Sequence, residues 1–414
     1  MPWKVSEVME ERTRFVVEYE SGEWTMAELC RHYGISRKTG YKMLVRWQLC
    51  GSEGLKNLSH APRAHPNQTA AEIEEAVLRL RRAHMRWGPR KLRKWLETRA
   101  PRQPWPAPST IGELLKRSGL SHPHHPRRRT PPYTQPFASA EQPNQLWCAD
   151  FKGWFRTQNG ERIDPLTMND ACSRYLLRCQ AVDKTDTEAV RAISEAAFRE
   201  YGLPWAIRTD NGPPFASRAV AGLSRLSVYW MKLGIVPERI RPGHPEQNGR
   251  LERVHRTLEE ETASPPEANK RRQQAAFDCF RREFNQERPH EALAMQTPAS
   301  VYTPSPRPYP ERIPEPEYDT GFQVRRVSPH GQFFWNYHHL FLSKALAGER
   351  IGLEPIDERY WCICFGAFPV AWFDSVDLVT GNLPAANIPG DGNLEIANDR
   401  DSQIPTATTA TTNL

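Results

Sequence analysis

Three carboxylates give this sequence its strongest chemical signal, namely Asp150, Asp210 and Glu246. Asp150 interrupts an apolar strand pattern, where an unpaired carboxylate is costly to bury. Asp210 ends a short apolar run and is followed by an Asn-Gly turn, and Glu246 lies in the first turn of an amphipathic helix pattern. Acids at the ends of neighbouring elements can converge, and a divalent cation relieves their mutual repulsion. A cluster with oxygen ligands alone favours Mg²⁺ or Mn²⁺.

A pair of such ions, about 3.5–4 Å apart, would serve phosphoryl transfer. One ion activates the attacking water or 3′-hydroxyl, and the other stabilises the leaving 3′-oxygen. No Ser, Cys or His nucleophile is then required. Each acid taken singly is equally well an ordinary surface carboxylate, but the three in this order favour a metal site.

The stretch Arg241–Glu260 predicts a helix that presents cations beside the third acid. Its apolar stripe consists of Leu251, Val254 and Leu258. The neighbouring polar stripe consists of Glu246, Arg250, Arg253 and Thr257. The helix dipole favours an anion in the first turn, and the arginines below it could hold a phosphate backbone. An ordinary solvated helix with paired charges is the alternative. His255 is expected to be structural.

The elements around these acids predict an α/β layered domain. Strands are expected at Gln145–Phe155, Leu166–Asp170, Ser173–Val182, Trp205–Asp210 and Ile235–Arg241. Helices are expected at Thr187–Tyr201, Phe215–Leu233 and Pro265–Glu287. The segment Thr157–Glu161 supplies an Asn-Gly turn between the first two strands.

The N-terminal part has the pattern of two helix-turn-helix units. In the first, Ser36 caps a helix whose cations are Arg37, Lys38, Lys42 and Arg46. Ser36, Arg37, Thr39 and Gly40 are the candidates for base contact. The second unit adds Arg90 and Lys91 and ends in a helix capped by Ser109. A helical hairpin without a DNA-binding role is the alternative.

Charge is distributed very unevenly along the chain. Residues 1–140 carry 25 Lys or Arg against 13 Glu and no Asp, a net charge of +12. Because the whole chain has a net charge of +7, the remainder carries about −5. This asymmetry favours a nucleic-acid-binding front end, although a solubilising basic surface would give the same count.

The cysteines and the hydropathy pattern indicate the cellular compartment of the protein. None of the eight cysteines has paired CxxC spacing, and the close pair Cys362 and Cys364 is expected on opposite faces of a strand. Reduced thiols in a soluble cytoplasmic protein are therefore expected. No apolar run is long enough for a membrane span, and the N-terminus lacks a signal-peptide core.

Four motifs carry a resemblance to a known family. They are WCADF (Trp147–Phe151), RTDNGPPF (Arg208–Phe215), HPEQNGRLERVHRTL (His244–Leu258) and the RPHEAL…TPA ending (Arg288–Ala299). Between Asp150 and Asp210 lie 59 residues, and between Asp210 and Glu246 lie 35. Over roughly residues 142–303 the chain resembles insertion-sequence transposases of the DDE type, with a retroviral-integrase-like catalytic core of RNase H-like fold.

The resemblance implies that Asp150, Asp210 and Glu246 are the catalytic metal ligands. It also implies that Arg253 contacts DNA near the cleavage site, that Asn211 and Asn248 position loops or phosphates, and that the chain acts as at least a dimer. Its partners would be double-stranded DNA, as terminal inverted repeats and as target. The implied activity is Mg²⁺-dependent cleavage of element ends and joining of 3′-hydroxyls to target DNA. A regulator with an inactive core, or a non-transposing nuclease, are the alternatives.

The domain organisation expected from these patterns has seven parts. They are a helix-turn-helix domain (1–65), a second such domain (66–120), a basic Pro-rich linker (121–141), the RNase H-like core (142–303), a linker (304–320), a small all-β SH3-like barrel (321–384) and a disordered tail (385–414). No spacing typical of the His-His-Cys-Cys zinc unit of retroviral integrases is present, so a structural zinc is not expected.

Overall fold

The computed structural model describes residues 8–57, 68–121, 140–217, 219, 222–240 and 249–382. Glu246 and Asn248, most of the predicted basic linker, and the predicted tail lie outside these residues. The chain divides into two compact units, Met1–Ala70 and Ala71–Leu414. None of the helices in the described ranges is long and apolar enough to cross a bilayer.

The first unit is a three-helix unit with helix-turn-helix geometry. Its helices are α1 (Val8–Glu20), α2 (Met26–His32) and α3 (Arg37–Gly54). Thr25 forms a capping box at the start of α2, and the Ser36 side chain accepts a hydrogen bond from the backbone N–H of Thr39. Phe15, Leu29 and Leu44 are among the side chains that close the core between the three helices.

Three further helices begin the second unit. They are α4 (Ala71–Ala83), α5 (Pro89–Arg99) and α6 (Pro108–Arg117). The fully buried Trp87 packs with Leu92 and Ile111 at their centre. The prediction that Ser109 caps α6 is wrong, because Pro108 already occupies the first helical turn and Ala107 is the N-cap residue. Proline suits that position because its fixed φ is helical and no hydrogen bond is lost.

A mixed six-stranded sheet forms the centre of the second unit. Its strands are β1 (Leu146–Phe151), β2 (Phe155–Arg156), β3 (Arg162–Asp170), β4 (Leu176–Val182), β5 (Ala206–Thr209) and β6 (Val236–Arg239). The order is β2-β3-β1-β5-β6, and β4 pairs with β3. The β1–β3 and β3–β4 pairs are antiparallel, whereas β1–β5 and β5–β6 are parallel.

Helices cover the sheet in two layers, as the α/β prediction required. The helices are α7 (Thr187–Tyr201), α8 (Arg225–Lys232), α9 (Gly249–Leu258), α10 (Lys270–Gln286) and α11 (Pro298–Val301). One apolar cluster joins α7 and α8 to the sheet through Phe198 and Trp230, and another joins α9 and α10 to it through Val254 and Phe277. The prediction that α8 begins at Phe215 is wrong, because Ser224 forms a capping box that starts the helix ten residues later, at Arg225.

The segment predicted as the second linker lies against the central domain. The backbone N–H of Ser305 donates to the Tyr201 carbonyl at 2.8 Å, and the Leu203 N–H donates to the Arg307 carbonyl at 2.7 Å. Tyr309 packs against the same apolar cluster as α7. The segment is therefore fixed by backbone hydrogen bonds and an aromatic contact.

The C-terminal part is a β-structure of two sheets. Its strands are β7 (Gln323–Arg326), β8 (Gln332–Trp335), β9 (His338–Phe341), β10 (Arg350–Pro355), β11 (Tyr360–Phe365), β12 (Phe368–Asp374) and β13 (Thr380–Asn382). Five strands form an antiparallel sheet in the order β13-β12-β11-β10-β7, and β8 pairs with β9 as a hairpin. The predicted barrel is not closed within the described strands, because the edge strands β7 and β13 do not pair.

The cysteine pair in β11 corrects one expectation. Cys362 and Cys364 lie on the same face of the strand, with their Sγ atoms 3.7 Å apart. Side chains alternate along a strand, so residues i and i+2 share a face, and the prediction of opposite faces was wrong. All eight cysteines are free, in agreement with the expectation of reduced thiols.

Candidate active site

Two of the three predicted metal ligands meet at one edge of the central sheet. The strands β1 and β5 are parallel neighbours, with Cys148 opposite Arg208. Asp150 lies two residues further along β1, and Asp210 directly follows the last residue of β5. Both carboxylates therefore lie at the carboxyl ends of adjacent parallel strands, where ligands bind in open α/β sheets.

The electrostatics of this pair favour a bound cation. Burial raises the pKa of Asp150 to about 7, and repulsion from Asp210 adds to that rise. Burial also raises the pKa of Asp210, although the Gly212 N–H donates to its Oδ1 at 3.2 Å. Neither carboxylate has an ion pair within the described part of the chain. A divalent ion would relieve both the burial penalty and the repulsion.

A buried histidine supports the strand that carries Asp150. His255 on α9 is hydrogen-bonded through Nε2 to Thr167 Oγ1 at 2.7 Å, and Thr167 Oγ1 donates to the Asp150 carbonyl at 3.3 Å. Burial, reinforced by Lys152, lowers the pKa of His255 to about 4, so the ring is neutral at physiological pH. This contact fixes α9 against β1 and β3 directly beside Asp150.

The third predicted ligand lies outside the described residues. Helix α9 is described from Gly249, three residues after Glu246. Within the described ranges, no group of three or more His, Cys, Asp or Glu side chains could hold a metal ion. The described part of the site is thus the pair of aspartates, and Glu246 and Asn248 stay predictions.

The polar residues predicted near the acids have distinct environments. Arg250 is half-buried, and its Nη1 donates to the Ala171 carbonyl at 2.6 Å, so this guanidinium anchors α9 to the sheet. Arg253, one turn on, is exposed. The Asn211 side chain donates to the Ile240 carbonyl at 2.8 Å and joins the ends of β5 and β6. Of these three, Arg253 is the one whose side chain remains available to a ligand.

The predicted DNA contacts of the first unit differ in exposure. Arg37, Lys38 and Lys42 lie exposed along α3. Arg46 is half-buried, and its guanidinium donates to the Lys56 carbonyl. Gly40 is buried, and a Cβ there would meet Cys30 Sγ at 2.7 Å, so its proposed base contact is wrong. The glycine instead permits α3 to pack closely on α2.

In the second unit, the predicted DNA contacts on α5 face the central domain. Arg90 is exposed and lies 4.0 Å from Glu291. Lys91 is half-buried, and burial together with repulsion from Arg288 lowers its pKa to about 8. The side chain of Lys91 therefore points towards the core.

One cation near the site carries no signal in the sequence. Arg174 lies in the turn between β3 and β4 with φ of 63°. Burial, with repulsion from Arg250 and Arg253, lowers its pKa to about 10. Nothing in the local pattern separates this residue from an ordinary turn arginine, because its neighbours come from distant parts of the chain.

Comparison with protein families agrees with this architecture. Two models of an integrase core domain match residues 140–245 and 233–298. A helix-turn-helix domain model matches residues 11–63, and a homeodomain-like model matches residues 39–115. The second integrase core match continues through the residues that contain Glu246.

Individual relatives come from bacterial insertion elements. The chain is 29% identical over 283 residues to the insertion element IS476 uncharacterized 39.2 kDa protein of Xanthomonas euvesicatoria, covering 66% of this chain and 77% of that protein. It is 30% identical over 164 residues to the insertion element IS407 uncharacterized 31.7 kDa protein of Burkholderia multivorans, covering 38% of this chain and 54% of that protein.

Among solved structures, the HTLV-2 integrase catalytic core domain in complex with magnesium is 17% identical and covers 39% of this chain and 98% of that chain, with a TM-score of 0.31. The central sheet of this chain is mixed, and six helices precede it within the described residues. The chain thus matches family models of helix-turn-helix domains and of an integrase core domain, and it is similar to proteins of bacterial insertion elements.

Proposed function

We propose that this protein is a divalent-metal-dependent DNA transposase. It would bind the terminal inverted repeats of its element, cleave a phosphodiester at each end, and join the 3′-hydroxyl to target DNA. The observation that supports this most directly is the pair Asp150 and Asp210. Two half-buried carboxylates at the ends of adjacent parallel strands have raised pKa values and no cationic partner among the described residues.

The residues present fit Mg²⁺ or Mn²⁺ as the metal. Asp150 and Asp210 offer hard carboxylate oxygens, and Glu246 is the third proposed ligand. When bound, a pair of such ions would supply activation of the attacking oxygen and stabilisation of the leaving 3′-oxygen. His255 and Thr167 would hold β1 and α9 in fixed register beside the aspartates.

DNA binding would be shared between the helical units and the core. The exposed cations Arg37, Lys38 and Lys42 on α3 are placed to contact phosphates and base edges. Arg253 on α9 would hold the strand that enters the site. Because two element ends must be brought together, the active form would be at least a dimer on DNA, organised in the domains predicted from the sequence.

The proposal is tested with purified protein and duplexes that carry the ends of the encoding element. With Mg²⁺, we expect cleavage at the end and transfer of that end into a target plasmid. Asp150→Asn and Glu246→Gln should abolish both steps and leave DNA binding intact. Asp319→Asn, which neutralises an exposed carboxylate before the C-terminal sheet, is the matched control and should keep both activities.

The outcomes separate the alternatives. Joining that persists in Asp150→Asn would exclude the proposed metal site. Cleavage without joining in the wild-type protein would favour a nuclease, and specific DNA binding with neither reaction would favour a regulator.

A further inference from the structure

Three cations from three separate elements crowd together beside the candidate active site. They are Lys91 on α5, Arg174 in the β3–β4 turn, and Arg253 on α9. Lys91 and Arg174 each experience repulsion from Arg253 in addition to the cost of their own burial. Arg253 thus repels both of the other cations.

These cations lack partners in the described part of the chain. No described residue forms a hydrogen bond or ion pair with the side chains of Lys91, Arg174 or Arg253. Lys91 and Arg174 are half-buried, and half-buried cations are normally paired, because removing them from water is costly. Unpaired cations that also repel one another therefore lower the stability of the free protein.

The nearby acids are already engaged elsewhere. The carboxylates of Glu291 and Glu261 attract the Lys91 ammonium and partly offset the lowering of its pKa. Glu261 accepts a hydrogen bond from Arg288 at 2.7 Å, and Glu291 lies 4.0 Å from Arg90. The cluster therefore keeps an excess of positive charge that the described protein groups do not neutralise.

Contacts between the helical part of the second unit and the core bring the cluster together. His84 Nδ1 lies 2.9 Å from a Glu283 carboxylate oxygen on α10. Further along the same junction, Arg99 lies 3.8 Å from Glu287. These contacts hold α5 against the C-terminal end of α10. Arg86, just before α5, lies 3.9 Å from Glu260, just after α9, so Lys91 and Arg253 come within electrostatic range although they are 162 positions apart.

We propose that Lys91, Arg174 and Arg253 form one binding site for the backbone phosphates of DNA. This inference rests on the proposed function, and it adds a path for the duplex across the junction of α5 with the core. A phosphodiester backbone fits because it supplies repeated negative charges over the span of three elements. Arginine forks can bind phosphate oxygens bidentately, and lysine acts as a point charge.

The test measures DNA affinity against salt concentration for the full chain, without divalent metal, on a duplex of arbitrary sequence. The variants Lys91→Met and Arg174→Gln should each reduce the slope of log K against log salt by about 1. Lys91→Arg and Arg174→Lys keep the charge and should restore the slope. Lys184→Ala, which removes an exposed cation in the turn before α7, is the control and should leave the slope unchanged.

Thermal unfolding distinguishes a binding role from a structural one. Because Lys91 is unpaired and crowded, Lys91→Met should have a Tm equal to or above that of the wild type while it loses affinity for DNA. A lowered Tm together with lost affinity would assign Lys91 to the fold and overturn the inference.

The inference and the proposed function can fail separately. If the wild-type protein joins element ends but the salt slope is unchanged in Lys91→Met and Arg174→Gln, the phosphate site is wrong and the transposase proposal stands. If the slopes change as expected but no cleavage or joining occurs, the phosphate site stands and the proposed reaction fails.

Discussion

Replacing Asp150 by Asn should make the metal-free protein more stable at neutral and alkaline pH. The pKa of Asp150 rises from 3.8 to about 7, mainly through burial and then through repulsion from Asp210. The folded protein therefore holds the proton more tightly than the unfolded chain does. The contribution of protonated Asp150 to the stability of the folded protein is therefore full at low pH. It is lost as the pH rises from about 4 towards about 7.

The size of the effect follows from the shift. At about 1.4 kcal/mol per pKa unit, the ionised carboxylate costs the folded state up to about 4 kcal/mol above pH 7. Asparagine keeps the shape of the side chain and carries no charge. The gain in free energy of unfolding for Asp150→Asn should thus grow from near zero at about pH 4 to several kcal/mol at about pH 8.

The assay is denaturant unfolding of wild type and Asp150→Asn across this range, with a chelator and then with Mg²⁺. The difference between the two proteins is the informative quantity, because His255 titrates in an overlapping range with the opposite sign. Asp319→Asn, which removes an exposed carboxylate, is the control substitution. Mg²⁺ should stabilise the wild type and should stabilise Asp150→Asn much less.

The account of burial and repulsion at Asp150 would be refuted if Asp150→Asn had no greater free energy of unfolding than the wild type. It would also be refuted if the difference between the two proteins stayed the same between about pH 4 and pH 8. Equal stabilisation of both proteins by Mg²⁺ would show that the metal binds elsewhere.

Three further predictions follow from single contacts. His255→Ala should lower the free energy of unfolding by about 1–3 kcal/mol and reduce the rate of strand joining more than DNA affinity, because Thr167 loses its buried partner; unchanged stability would contradict this. DNA affinity should fall as the pH rises through about 8, where Lys91 loses its proton among Arg288, Glu291, Glu261 and Arg253, whereas Lys91→Arg should show no such fall in binding titrations. Gly40→Ala should destabilise the first unit by about 1–3 kcal/mol in thermal unfolding, since a Cβ there lies 2.7 Å from Cys30 Sγ and 2.8 Å from Met26 Sδ; Gly249→Ala, which has open space around its Cβ, is the control.

Much of the fold follows from local pattern. The Thr25 and Ser36 side chains cap α2 and α3 because hydroxyls at those positions satisfy free backbone N–H groups, which is a local effect. The apolar stripe of Leu251, Val254 and Leu258 is buried as its spacing predicts. Local pattern failed at Phe215, where a buried aromatic side chain in a loop has the same apolar character as a helical core position.

The sequence by itself predicted the chemistry: Asp150 lies within a strand and Asp210 at a strand end, and the 35 residues between Asp210 and Glu246 are the interval typical of the family that the chain resembles. Only the tertiary structure decided which groups surround them. The parallel pairing of β1 with β5 brings the two acids to one edge, and the packing of α9 adds His255 beneath Asp150. Packing of α5 on the core half-buries Lys91, which the local sequence pattern presents as a surface residue. Such contacts join residues far apart in the chain, so no local periodicity encodes them.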